Sequence, residues 1–240
     1  MQNAVEYYDE LYPVTAEQQE FYAAIKTHYA PPVRFLHIGC GTGALEHFLV
    51  KDGSDVTGLE VSKELITAAA LHRKTQLTPI RFFQLSTLEM TRFLGKNFYN
   101  IISCLNSRIV FIREKELLKK FFIDCKTLLA QDGMLVLQLY NFYRLEKNGA
   151  THMPPRGSIR VKQDSFFVSD ERGRVSLTQT IETGNGKILP VMKDEELYPL
   201  TKTEIVDFAQ SAGFCEFEFY GSFSKEAFAE ESAMLVCVLK

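Results

Sequence analysis

The sequence predicts an α/β domain with a mostly parallel, doubly wound sheet that closes on an antiparallel C-terminal hairpin and carries an antiparallel β insert before its last helix. Three observations predict it. An apolar run from Val33 to Ile38 breaks into glycines at alternate positions, Gly39, Gly41 and Gly43. Strand-like apolar runs then alternate with helical patterns as far as Tyr140, the order of a parallel sheet with right-handed crossovers. From residue 142 to 198 the chain changes to short strands joined by turn signals, after which the α/β pattern returns.

With 240 residues the chain suffices for one large domain, or a domain with an insertion, and needs no disulfide staples. A net charge of −3 and a pI near 6.0, with no basic run beyond His72 to Lys74, leave no electrostatic footprint for a polyanion, so nucleic acid is not an expected partner. No apolar stretch reaches the ~18 residues of a membrane span, and the first six residues do not read as a signal peptide. A cytoplasmic protein without a membrane partner is expected. Five scattered cysteines, Cys40, Cys104, Cys125, Cys215 and Cys237, show no metal-like spacing and read as reduced thiols, with no metal site.

Taken in order, residues 1–30 form an aromatic lead-in (Tyr7, Tyr8 and Tyr12) and a helix opened by the capping box Thr15-x-x-Gln18. Phe21, Ala24, Ile25 and His28 are predicted on its inward face, and Pro31-Pro32 to stop it. The strand ending at Ile38 feeds the glycine loop and a helix from Ala44 to Val50, whose amide donors point toward the loop. Asp52-Gly53 turns the chain into the strand Asp55 to Glu60, and Ser62 caps a helix that runs to about His72. Pro79 to Leu85 and Phe98 to Leu105 are the next strands, with room between them for a turn and a short helix. Leu117, Leu118, Phe121, Phe122, Cys125, Leu128 and Leu129 form the clearest amphipathic stripe, ended by Gln131-Asp132-Gly133 before the strand Met134 to Tyr140. Ser165 to Ser169, Arg174 to Glu182 and Lys187 to Met192 make two hairpins in a row. A second capping box, Thr201-x-x-Glu204, opens the last helix, with Gly213 at its C-terminal cap, and Phe214 to Tyr220 pairs with Met234 to Leu239 at the sheet edge.

Glycine at these loop positions lets a ligand approach the backbone, and Glu60, seventeen residues after Gly43, is placed to accept both hydroxyls of an adenosine ribose. The loop alone leaves the cofactor open, because Gly39-Cys40-Gly41-Thr42-Gly43-Ala44 also satisfies the dinucleotide pattern G-x-G-x-x-G/A. A nicotinamide-dependent oxidoreductase is the enzyme alternative. Tyr143 and Lys147 match the Tyr-x-x-x-Lys pair of short-chain dehydrogenases, but that family's glycine spacing is absent near residue 40. Asn106 and Tyr140 close the fourth and fifth strands, at the sheet end where α/β proteins bind ligands.

The whole-chain order resembles the class I S-adenosylmethionine-dependent methyltransferases. Ile38 to Gly43 looks like their first motif, Leu59-Glu60-Val61 their ribose site, Gln84 to Leu88 their adenine contact, and Leu128 to Val136 their final helix-to-strand motif. Tyr8-Asp9-x-x-Tyr12 and the β insert are similar to small-molecule N-methyltransferases of the glycine and amino-sugar type. The resemblance implies a Rossmann-like seven-stranded sheet formed by residues 31–141 and 199–240, with residues 142–198 as a substrate cover or dimer platform, in a monomer or homodimer. It implies S-adenosylmethionine as cofactor, S-adenosylhomocysteine as product and a small-molecule methyl acceptor, at nitrogen before oxygen. The cofactor residues so implied are His37, Gly39, Cys40, Gly41, Gly43, Glu60, Val61, Ser86, Thr87, Leu88 and Leu105; Tyr8, Tyr12, Asn106 and Tyr140 are the substrate candidates, and no general base identifies itself. Two positions depart from the family, His37 and Ser86, where it usually carries carboxylates. They motivate a non-enzyme alternative, a degenerate methyltransferase fold acting as a partner protein.

Overall fold

The computed structural model describes residues 4–73, 79–143 and 149–240; Lys74 and Lys147 lie outside them. Seven strands, β1 (Arg34–Ile38), β2 (Asp55–Glu60), β3 (Ile80–Gln84), β4 (Tyr99–Cys104), β5 (Leu129–Tyr140), β11 (Phe217–Tyr220) and β12 (Met234–Leu239), form one sheet in the order β11-β12-β5-β4-β1-β2-β3. β1 to β5 pair in parallel, while β12 runs antiparallel to both β5 and β11. This is the expected mostly parallel sheet with its C-terminal hairpin. No helix among the described residues is long and apolar enough to cross a membrane.

Alternate strand residues face two cores, as period-2 side-chain geometry requires. On one face Leu36, Ile102 and Leu137 pack against Leu118, Phe121 and Phe122 of α6 (Lys115–Leu128) and Ile205 and Phe208 of α7 (Lys202–Ser211); α4 (Lys63–Arg73) and α5 (Met90–Phe93) come earlier in the chain. On the other, Phe35, Ile101 and Val136 pack against Phe21, Tyr22 and Ile25 of α2 (Ala16–Lys26) and Leu45 and Leu49 of α3 (Ala44–Leu49). Both capping boxes form, and Gly213 adopts φ +93° beyond the end of α7. The inward face of α2 differs from the predicted one: Tyr22 is fully buried, its hydroxyl donating to Ser103 Oγ at 2.8 Å, while Ala24 and His28 are exposed and the helix ends before the prolines. α6 also ends earlier than the stripe suggested, because Leu129 takes an extended backbone and pairs with Tyr99 as the first residue of β5.

The insert is a second sheet, larger than the sequence implied. β8 (Val161–Ser169), β9 (Val175–Thr183) and β10 (Ile188–Leu197) form an antiparallel meander, with β6 (Ala150–His152) and β7 (Arg156–Gly157) both pairing with β8. β10 is one outer strand, opposite β6, and its register against β9 shifts between Pro190 and Met192 and again between Met192 and Glu195. The insert seats on the first sheet through Phe167, whose ring meets Tyr140 edge-on at 4.6 Å. Val161, Ile181 and Val191 bury Ala4 and Leu11 of the N-terminal segment, in which α1 spans Tyr8–Leu11. Insert and lead-in therefore meet above the carboxyl ends of β1, β4 and β5.

Candidate functional site

The glycine loop carries the first part of the site. Gly39, Gly41 and Gly43 have φ of +78°, +59° and +81°, conformations that strain any residue with a Cβ. Side-chain space is also closed there. A Cβ at Gly39 would lie 2.7 Å from Arg108 Cγ, and one at Gly41 would run into the Tyr8 ring. α1 thus lies directly on the loop, with Thr42 Oγ1 donating to Asp9 Oδ1.

Glu60, only 4% exposed at the end of β2, braces this loop. Its Oε2 accepts from Gly41 N–H at 3.1 Å and its Oε1 from Val61 N–H and Ser62 N–H at 2.8 and 3.0 Å. An ionised carboxylate offers about four acceptor positions, so one remains for a ligand hydroxyl. Glu60 faces a cavity of about 580 Å³ that is also lined by Gly39, Val61, Ser86, Thr87 and Leu88. Ser86 Oγ accepts from Leu88 N–H at 3.3 Å and caps the short turn beneath it. Cys40 is absent from this cavity's wall and lines the smaller one beside it. Its Sγ packs over Gly58, and burial drives its thiol well above the ordinary range.

A small second cavity of about 30 Å³ shares Gly39 with the first and is lined by Tyr8, Tyr12, His37, Leu105 and Asn106. His37 Nδ1 lies 2.6 Å from Glu46 Oε1, and both residues are buried. His37 Nε2 and Glu46 Oε2 have no hydrogen-bond partner. Glu46 therefore brings a carboxylate up to the strand end where the sequence itself has histidine. A third cavity, about 320 Å³, shares Tyr12, Pro13, Gln18 and Asn106 with the second and is also lined by Glu10, Gln138 and Arg156. The three succeed one another along the carboxyl ends of the strands, where α/β sheets bind ligands. A separate hollow of about 620 Å³ sits by Arg34, Asn100 and Lys240, at the opposite end of the sheet.

The turn after β4 aims Arg108 into this row. Asn106 and Ser107 both have positive φ, +52° and +58°. β5 holds that turn: Asn106 N–H donates to Gln138 Oε1 at 2.7 Å, and Ser107 Oγ accepts from Tyr140 N–H at 2.9 Å. Arg108 is half-buried between the glycine loop and Tyr8, donating from Nη2 to the Tyr8 hydroxyl at 3.2 Å, while its buried Nε has no partner. Burial opposes its charge, but Tyr8, Tyr12 and Glu60 outweigh that and hold it protonated. Glu46, Arg108 and Arg156 were not singled out in the sequence; the charged Glu46 between the apolar Leu45 and Leu49 is the one local signal that pointed inward.

Tyr8 and Tyr140 are held protonated. Burial raises Tyr8, and burial together with Tyr12 pushes Tyr140 up to about 12 against the pull of Arg156 and Arg108. Burial likewise pushes Tyr29 to about 12. A raised phenol favours the folded state fully below the unfolded value near 10 and loses that contribution as pH climbs toward 12. Alkaline titration followed by phenolate absorbance is expected to show the buried tyrosines ionising only as the fold opens above about pH 11. A single class near pH 10 would contradict the burial.

Sheet order, glycine loop and closing hairpin define a Rossmann-like methyltransferase fold. Residues 35–133 match the family described as a methyltransferase domain. A protein of Geobacillus sp. (strain WCH70) with a provisional methyltransferase name is 25% identical over 86% of this chain and 84% of its own length. The ubiquinone biosynthesis O-methyltransferase of Aliivibrio fischeri (strain MJ11) is 35% identical, over 30% of each chain. Among solved structures, S-adenosylmethionine-bound CalS10 from Micromonospora echinaspora, an amino pentose methyltransferase, aligns with a TM-score of 0.68 at 21% identity, covering 94% of this chain and 92% of its own. The domain match and these relatives support a methyltransferase, and S-adenosylmethionine is the cofactor that the family implies.

Proposed function

We propose that the protein transfers the methyl group of S-adenosylmethionine to a small-molecule acceptor, at nitrogen before oxygen. The observation that carries this reading is the row of three adjacent cavities that share wall residues and run from Glu60, past Gly39 and His37, to Asn106. The donor set fits the cofactor. Glu60 keeps an acceptor position for a ribose hydroxyl, and Ser86 to Leu88 line the nucleoside cavity. Arg108 offers an unpaired Nε to a carboxylate, and His37, which lines the second cavity with its Nδ1 held by Glu46, offers Nε2 to an ammonium group.

When bound, S-adenosylmethionine would supply an electrophilic sulfonium methyl group, with Glu60, Arg108 and His37 the residues that would hold it. The chain's own contribution is placement and exclusion of water. Tyr8 and α1 cover the glycine loop, Tyr12 and Asn106 stand at the junction of the second and third cavities, and the insert roofs the third. The nitrogen preference is supported by the shared lead-in and insert pattern and by the amino pentose enzyme among the fold's neighbours. Residues 142–198 serve in this reading as the substrate cover.

Ligand-dependent unfolding tests the cofactor. At 100 times its dissociation constant, S-adenosylhomocysteine is expected to raise the melting temperature by about 5 to 11 °C, a stabilisation of about 2.7 kcal/mol, with no shift from NAD or NADP. A shift from the dinucleotides alone would favour the oxidoreductase. No shift from any of the three at millimolar ligand would leave the degenerate fold.

A further inference from the structure

We propose that the methyl acceptor carries a carboxylate and that Arg156 binds it, an inference that rests on the methyltransferase reading above. Arg156 opens β7 and reaches out of the insert into the third cavity. Its guanidinium stands over the Tyr12 ring, 5.5 Å from the centroid, and donates from Nη1 to Asn106 Oδ1 at 3.4 Å. Both contacts are with neutral groups. Among the described residues no carboxylate lies within ion-pair distance of it.

The carboxylate that lines the same cavity is engaged elsewhere. Glu10 accepts from Ser158 Oγ and, as an ion pair, from Arg160 Nη1 at 3.0 Å. The remaining polar lining of the cavity is uncharged, from Asn106, Gln138, Tyr12, Thr15 and Gln18. Arg108, on the far side of the Tyr8 and Tyr12 rings, adds a second cation to the same neighbourhood, and those rings lie 4.9 Å apart. Arg108 has Glu60 in its field and, in the cofactor reading, the carboxylate of the methionine end. Arg156 has neither. The sulfonium adds further positive charge, so the cavity's charge balance asks for one anion and the acceptor is the molecule left to bring it.

Geometry narrows the anion. A guanidinium presents paired N–H donors that match a planar carboxylate, and one arginine neutralises one charge. The volume, about 320 Å³, is at the small end of ligand pockets and suits an amino acid or a small aromatic acid. The backbone keeps the cation in place. Arg156 pairs with Gln163 of β8, and Gln163 Oε1 accepts from the Tyr12 hydroxyl at 3.0 Å, so ring and guanidinium are positioned by one strand.

Benzoate and benzamide, equal in shape and unequal in charge, test this by saturation-transfer NMR on the protein saturated with S-adenosylhomocysteine. Benzoate is expected to bind at least about tenfold more tightly than benzamide, the value of one charged hydrogen bond. Arg156→Gln is expected to bring the two affinities together, and Arg156→Lys to retain part of the difference. Equal affinities in the unaltered protein, no benzoate signal at tens of millimolar, or a preference that survives Arg156→Gln would each overturn the proposal. Inorganic phosphate displacing benzoate more effectively than acetate does would overturn the choice of carboxylate. Calorimetric titration with S-adenosylhomocysteine comes first. Its failure removes the methyltransferase reading itself, whereas cofactor binding without the benzoate preference removes only the acceptor assignment.

Discussion

His37→Leu is expected to destabilise the fold by about 3–5 kcal/mol, and Glu46→Leu by a similar amount, while the double variant recovers most of the loss. The two side chains are buried and 2.6 Å apart, with no other hydrogen-bond partner for His37 Nε2 or Glu46 Oε2. Removing either partner strands the other away from water; removing both leaves an apolar contact between β1 and α3. For a domain of this size the single variants correspond to melting temperatures lower by about 6 to 20 °C. Urea unfolding with unchanged slopes gives the coupling energy from the cycle of four proteins. Simple additivity would mean that the two residues act independently. In the proposed site the double variant should also fold yet bind S-adenosylhomocysteine at least about tenfold more weakly, since an ammonium group would lose the His37 acceptor.

Glu60→Ala is expected to weaken S-adenosylhomocysteine binding by about ten- to a hundredfold and to lower stability at the same time. The binding loss is that of a charged hydrogen bond to the ribose, about 1.5–3 kcal/mol. Stability falls because three backbone donors, from Gly41, Val61 and Ser62, lose their acceptor together. Glu60→Gln separates the two effects. One amide oxygen keeps part of the backbone bonding, but the NH₂ group replaces an acceptor by a donor, so most stability is expected to return without the affinity. Calorimetry beside thermal unfolding reads both. Unchanged affinity in Glu60→Ala would place the ribose elsewhere.

Much of the fold was legible because its signals are local. Strand–helix alternation, the capping boxes at Thr15 and Thr201, and the cap at Gly213 each concern residues a few positions apart. The inward face of α2 was not, since Tyr22 is chosen by Ser103, eighty-one residues away, over the equally periodic Ala24. The glycine loop and Glu60 stood out by composition and spacing, and the structure brings them together through Gly41 N–H. Arg108 and Arg156 gave no such sign. One depends on a left-handed turn made by Asn106 and Ser107 without glycine, the other on a two-residue strand whose position only the insert's pairing determines.

The outer strand β10 of the insert has a further meaning for how the molecule behaves at high concentration. A ten-residue edge is a template on which identical chains can stack. Here Pro190 has no N–H to give, two register shifts bend the strand, Asp194 turns left-handed at φ +49°, and Lys193 to Glu196 place four charges in succession. Each feature spoils strand addition. The sheet therefore ends at β10, where an unbroken strand would invite polymerisation.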